Sequence, residues 1–164
     1  MTRKKLPVTP AIRMLRDHSV EYVENVFPYE PHGGTALCAK ALGVDEYMII
    51  KTLIFEDDNR RPLVVLMHGD KQVSTRQLAR YLNVKSITPC TPQTATKHSG
   101  YQVGGTSPFG MRRSMPVYMQ VSILELPYIY INGGRRGFLV KIASSDLQQV
   151  LQQVLQLDLV DVAI

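Results

Sequence analysis

The chain has 164 residues, a net charge of +5, and 45% hydrophobic and 20% charged residues. This length suits one domain that buries a core without staples, and no apolar run approaches the ~20 residues of a membrane span. The positive balance favours an anionic partner such as nucleic acid or a nucleotide, while two widely spaced cysteines, Cys38 and Cys90, exclude a disulfide framework and read as free thiols in a reducing cytoplasm.

In chain order, residues 1–8 read as a loose basic arm. The arm has no apolar segment behind it, so it is not a signal peptide. Thr9 with Pro10 opens a helix running to about His18, with Ile12, Met14 and Leu15 facing inward. Val20 to Phe27 alternates as a strand, with Val20, Tyr22 and Val26 on one face. Prolines and glycines make a loop of Pro28 to Gly34, and Thr35 is the expected cap of a short helix ending at Gly43. Ile49–Phe55 and Leu63–Met67 are apolar runs joined by a polar turn at Asp57–Asn59, which predicts a hairpin at the centre of a sheet. Ser74 opens a helix to Leu82 that Asn83 stops; a short strand follows at Val84–Thr88, and Thr91 with Pro92 opens a helix to about Ser99.

Beyond these, Val117–Ile123 and Tyr128–Ile131 read as strands, the second turned by Asn132, Gly133 and Gly134 into a return strand at Phe138–Ile142. Ser144 or Ser145 is the expected cap of a last helix with Leu147, Val150, Leu151 and Val154 on one face, and Leu157–Val162 adds an edge strand. The expected fold is a single α+β domain over residues 1–164, with a mixed, strongly curved central sheet flanked by short helices.

Three features bear on chemistry. Tyr101 to Gly110, YQVGGTSPFG, is rich in glycine, and Thr106 and Ser107 add hydroxyls. Glycine lets backbone approach a ligand closely, and preorganised backbone donors suit an oxyanion or a ribose; the same composition also serves a plain bend between strands. Lys51 stands alone among Ile49, Ile50 and Leu53, so a partly desolvated ammonium facing an anion competes with a solvent-facing lysine. The turn Gly133–Gly137 carries Arg135 and Arg136, which suit phosphate or a solvated hairpin tip. The four histidines show no ligand spacing, so no metal is expected; GxSxG and the GK[ST] ending of a phosphate loop are absent.

The motifs TPAIRML, KTL at Lys51–Leu53, GYQVGGTSPFG at Gly100–Gly110 and YINGGRRG at Tyr130–Gly137 span nearly the whole chain. In this order and spacing the sequence resembles the YbaK/ProX family, free-standing aminoacyl-tRNA deacylases related to the editing insertion of bacterial prolyl-tRNA synthetase. Its branch most resembles the Cys-tRNA(Pro) deacylases. The resemblance implies a cytoplasmic enzyme, without cofactor or metal, that removes a mischarged cysteine or alanine from tRNA(Pro) or a similar tRNA, with prolyl-tRNA synthetase as a possible partner. It also implies catalytic roles for Lys51, Gly104 and Gly105. Phe27, Thr52, Thr106, Ser107, Asn132 and Gly133 would then bind substrate, and Arg112, Arg113, Arg135 and Arg136 would contact tRNA. In the cysteine branch the substrate's own thiol is thought to attack its ester, so the protein supplies position rather than a nucleophile. Asn132 stands where the family often carries serine, and the HGGT loop lacks a bulky residue at Gly33 or Gly34, so the amino-acid pocket is where this chain departs. A non-catalytic tRNA- or synthetase-binding module of the same fold, and a small-nucleotide binder, are the alternatives.

Overall fold

In the computed structural model, which describes residues 6–164, one mixed sheet of eight strands carries five α-helices. The elements are α1 (Pro10–Asp17), β1 (Val23–Val26), α2 (Gly34–Leu42), β2 (Ile49–Asp57), β3 (Pro62–His68), α3 (Thr75–Leu82), β4 (Ile87–Pro89), α4 (Pro92–Ser99), β5 (Val117–Gln120), β6 (Tyr128–Arg135), β7 (Phe138–Ala143), α5 (Ser144–Val154) and β8 (Leu157–Val160). The strand order is β1-β7-β6-β2-β3-β5-β8, with β4 also on β2. The predicted basic arm lies mostly outside the described residues.

The expected hairpin is the centre of this sheet. β2 and β3 pair antiparallel from Ile50↔His68 to Glu56↔Pro62, and every residue of β3 is buried. Continuous apolar strands of this kind belong in a sheet covered on both faces. One face is covered by α1 and α5, through Ile12, Leu15, Leu147 and Leu151, against Ile50, Ile54, Leu66, Ile129 and Ile131. The other is covered by α3, whose Leu78 and Ala79 sit on Phe55, Val65 and Met67.

The second edge of β2 is divided. Ile49 and Ile50 pair parallel with Tyr130 and Ile131 of β6, whereas Phe55–Asp57 pair antiparallel with Pro89–Ile87 of β4. Among the described residues no strand pairs with Lys51–Leu53 on that edge, so the sheet opens beside Lys51.

Thr9, Ser74 and Thr91 cap α1, α3 and α4 as the sequence predicts, each accepting from a backbone N–H three residues on. Other boundaries move. Val20 N–H closes α1 on the Leu15 carbonyl, which leaves only Val23–Val26 for β1 and exposes Val26 at the sheet's rim. Val84 N–H likewise closes α3 on Ala79, and β4 begins at Ile87. Thr35 is not the cap of α2; Gly33 holds that position, and the Thr35 hydroxyl donates to the Glu46 carboxylate at 2.8 Å. After Gln120 the chain winds into a 3₁₀ turn, Val121–Glu125, that buries Ile123. Ser144 lies inside α5 rather than capping it; its hydroxyl donates to the Leu126 carbonyl. The largest change is at Asn132–Gly134, predicted as a turn. These residues continue β6 through a bulge, and the turn falls at Arg135–Phe138 instead.

Candidate active site

That bulge builds the site. Asn132 Oδ1 accepts the N–H groups of Gly134 (2.6 Å) and Arg135 (3.0 Å), which holds the extra residues of the bulge in place. Gly134 sits at φ +98°, a conformation open to glycine. The other end of the same carboxamide, Nδ2, donates to the Gly104 carbonyl at 3.0 Å. Thr9, at the start of α1, donates its hydroxyl to Gly133 O at 2.5 Å, so the bulge is also anchored from below.

The glycine loop packs directly on this bulge. A methyl group at Gly105 would stand 2.8 Å from Arg136 N and 3.0 Å from the Arg135 carbonyl carbon, so only glycine allows the backbones to touch. Gly104 has φ +92° and faces the Tyr29 hydroxyl and the Arg136 guanidinium. Arg136 Nε donates to Val103 O at 2.9 Å, and its guanidinium lies 5.0 Å from the Tyr29 ring centroid. Arg136 therefore holds the loop. Beside it, Pro92, Gln93, Thr96, Gln102, Val103 and Arg136 line an open groove of about 470 Å³.

Lys51 joins this arrangement through register. Ile49 faces Tyr130 and Ile50 faces Ile131, so side-chain alternation puts Lys51 and Asn132 on the same sheet face, on neighbouring strands. The Lys51 ammonium donates to the Lys71 carbonyl at 2.5 Å. Burial lowers its pKa from the ordinary lysine value, and the carboxylates of Glu46 and Asp70 oppose that shift. The result is a half-buried cation beside two carboxylates, at the gap in the sheet.

The other expected site residues distribute as follows. Phe27 is half-buried, and its N–H donates to Gly137 O at 2.9 Å, so it abuts the arginine turn. Gly133 is buried, and a side chain there would strike the Phe138 ring. Thr106 donates its hydroxyl to Gln102 O at 3.3 Å. Ser107 is fully buried and accepts the Phe109 N–H, so its hydroxyl is internal to the loop. The Gly105 N–H donates to Gln102 O at 2.8 Å and closes the loop on itself. Thr52 alternates with Lys51 and so stands on the opposite, Ile50–Ile54 face, where its hydroxyl is buried without a partner among the described residues. Arg112 and Arg135 are exposed; Arg113 reaches His98 at 3.4 Å.

Two features escape sequence reasoning. Tyr29 supplies a wall of the loop from within a proline- and glycine-rich segment. Glu56, Cys90 and His98, far apart in the chain, come within 4.8 Å of one another. Here His98 Nε2 faces the Glu56 carboxylate at 3.5 Å and Nδ1 faces the Arg113 guanidinium at 3.4 Å, so the imidazole stands between an arginine and a carboxylate. Burial pushes the Cys90 thiol up to about 11, with Glu56 adding to the shift, and burial also raises Cys38. Neither cysteine is an activated nucleophile.

The model of the aminoacyl-tRNA editing domain matches residues 30–150. EbsC of Enterococcus faecalis, named as a proposed Cys-tRNA(Pro)/Cys-tRNA(Cys) deacylase, is 29% identical over 145 residues, covering 87% of this chain and 88% of its own. The proline–tRNA ligase of Ligilactobacillus salivarius is 32% identical over 100 residues, 61% of this chain and 17% of the ligase. Among solved structures, one described as a proposed trans-editing enzyme for prolyl-tRNA synthetase superposes with a TM-score of 0.77 at 18% identity, over 96% of this chain and 99% of that one.

Proposed function

The chain belongs to the aminoacyl-tRNA editing domain family, and from that premise we propose that it is a trans-acting deacylase that clears a mischarged small amino acid, cysteine or alanine, from tRNA(Pro). What supports this reading is that Lys51 and Asn132 share one face of the sheet and that Asn132 donates to the Gly104 carbonyl of the glycine loop.

The reaction is cleavage of the ester between an amino acid and the terminal ribose. In this site the chain supplies a cation and a rigid backbone loop. Ser107 is buried and both cysteine thiols are held protonated, which favours attack by the substrate's own thiol or by water over attack by a protein side chain. Lys51 attracts the negative charge that develops on the ester oxygen as the carbonyl is attacked; Gly104 brings exposed backbone against the terminal adenosine, and Gly105, expected beside it, supports the loop from behind by packing on the Arg135–Arg136 backbone. Positioning and electrostatic stabilisation of this kind supply much of a barrier reduction. Phe27, Thr106, Asn132 and Gly133 shape the surrounding wall, and Arg112 and Arg135 contact tRNA phosphates. The need for a separate enzyme is energetic: a pocket separates small amino acids by only ~1–3 kcal/mol, so a second hydrolytic site is required.

A panel of Cys-, Ala- and Pro-charged tRNA(Pro) tests the reading. Release of cysteine or alanine with sparing of proline is expected; tight binding with every ester left intact would favour a non-catalytic tRNA-binding module.

A further inference from the structure

On the Lys51 face of the sheet, farther along β2, lies a second groove that the deacylase reading does not use. It has a volume of about 370 Å³ and is lined by Thr75, Arg76, Ala79, Arg80, Val84, Lys85, Ser86 and Ile87. We propose that this groove, built on Arg76, Arg80 and Lys85, binds the sugar–phosphate backbone of the tRNA at a distance from the ester.

Four observations carry the inference. First, Arg76 and Arg80 are one helical turn apart on α3, so two like charges share one face and repel each other. Second, all three cations are exposed, and among the described residues none takes part in an ion pair. Asp58 Oδ1 accepts the Lys85 backbone N–H at 3.0 Å and forms no ion pair with the groove's cations. A phosphate relieves the repulsion that the fold leaves standing.

Third, two of the arginines expected to meet tRNA are turned to internal work. Arg136 holds the glycine loop, and Arg113 closes on His98. The cations of α3 restore the missing phosphate contacts. Fourth, the groove is placed to serve the same substrate. α3 packs on Phe55 and Leu53, which share a face with Lys51 by alternation. The groove lies at the Asp57 end of β2, where Ile87 pairs with Asp57. Six residues of strand at ~3.3 Å each separate it from Lys51 by about 20 Å. A tRNA with its ester at Lys51 and its acceptor strand running toward the Asp57 end of β2 passes its phosphates over α3.

This inference rests on the deacylase reading for the identity of the RNA, but its test does not need catalysis. Binding of uncharged tRNA(Pro) is measured across a salt series for the wild type, for Arg76→Ala/Arg80→Ala, and for Arg13→Ala/Arg16→Ala, which removes the same charge from exposed positions on α1. Each lost phosphate contact should flatten the slope of log K against log[salt] by about 0.7–0.9. The α3 double variant should flatten it by about 1.4–1.8, and the α1 variant by less than half as much. In a deacylation assay the α3 variant should lose kcat/KM on full-length charged tRNA and keep the wild-type rate on an aminoacyl ester of adenosine. An unchanged slope in the α3 variant, or an equal change in the α1 variant, overturns the proposal. Absence of any deacylation by the wild type overturns the deacylase reading and leaves the salt slopes to judge the groove.

Discussion

Lys51 and Asn132 face the same side of the sheet from adjacent strands, and Asn132 holds Gly104 with the hydrogen bond that leaves its amide nitrogen. A single side chain thus ties β6, the strand beside the one that carries the cation, to the loop that carries the glycines. The consequence is that Asn132 acts chiefly on the loop's position.

Asn132→Asp tests that role. The variant keeps the acceptor for Gly134 and Arg135 but sets a carboxylate oxygen against the Gly104 carbonyl. We expect a cost of about 1–3 kcal/mol where a partnered donor is replaced by an opposed acceptor. It should show as a rise in KM and a fall in kcat for deacylation, with a modest drop in melting temperature. Wild-type kinetics in this variant would show that the loop holds its place without Asn132.

Gly105→Ala and Ser107→Ala should separate the two ends of the glycine loop. The methyl at position 105 meets the Arg136 backbone, so the loop must shift. A misplacement of ~1 Å costs about 10²-fold in rate. Ser107→Ala removes an internal acceptor for the Phe109 N–H and costs about 1 kcal/mol of stability, leaving the deacylation rate near wild type. Thermal melts and single-turnover rates on both variants check the contrast. Equal loss of rate in the two would give the Ser107 hydroxyl a chemical role.

His68 predicts a pH dependence of stability. It is fully buried; its Nδ1 meets the Tyr47 carbonyl at 2.8 Å and its Nε2 meets the Ser122 hydroxyl at 2.7 Å. A carbonyl only accepts, so Nδ1 carries the proton and Nε2 accepts from serine. Burial lowers its pKa from the ordinary histidine value, against the Tyr47 carbonyl and Asp70, which raise it. Between the native and ordinary values the unfolded chain binds more protons than the folded one, so stability falls as pH drops through that window. His68→Gln should be less stable at neutral pH by about 1–3 kcal/mol and should show a flatter decline on acidification. An equally steep decline would place the acid sensitivity elsewhere.

What the sequence reveals and conceals follows the range of the interactions. Caps at Thr9, Ser74 and Thr91 are local, made within three residues, and are legible directly. The β2–β3 hairpin is legible because two apolar runs and a polar turn are contiguous. Lys51 and the Gly104–Gly105 loop are visible as candidates by composition and by family resemblance. Their placement on one face is not visible, because it depends on parallel pairing of β2 with β6, some eighty residues away, and on a bulge held by one carboxamide. For the same reason Asn132–Gly134 reads as a turn when it is a strand. Tyr29 and the Glu56–Cys90–His98 cluster are assembled only in three dimensions, and no local pattern announces them.

The central claim is that Lys51 and the loop form one hydrolytic site, and deacylation of Cys-tRNA(Pro) by the wild type, Lys51→Ala and Lys51→Arg tests it most directly. Loss of a preorganised charge that acts on the developing oxyanion costs about 10²–10³ in rate, and arginine does not restore the geometry of a compact ammonium. We therefore predict a fall of that size in kcat for Lys51→Ala, little rescue in Lys51→Arg, and unchanged binding of uncharged tRNA in both. Cleavage by Lys51→Ala at the wild-type rate would contradict the account.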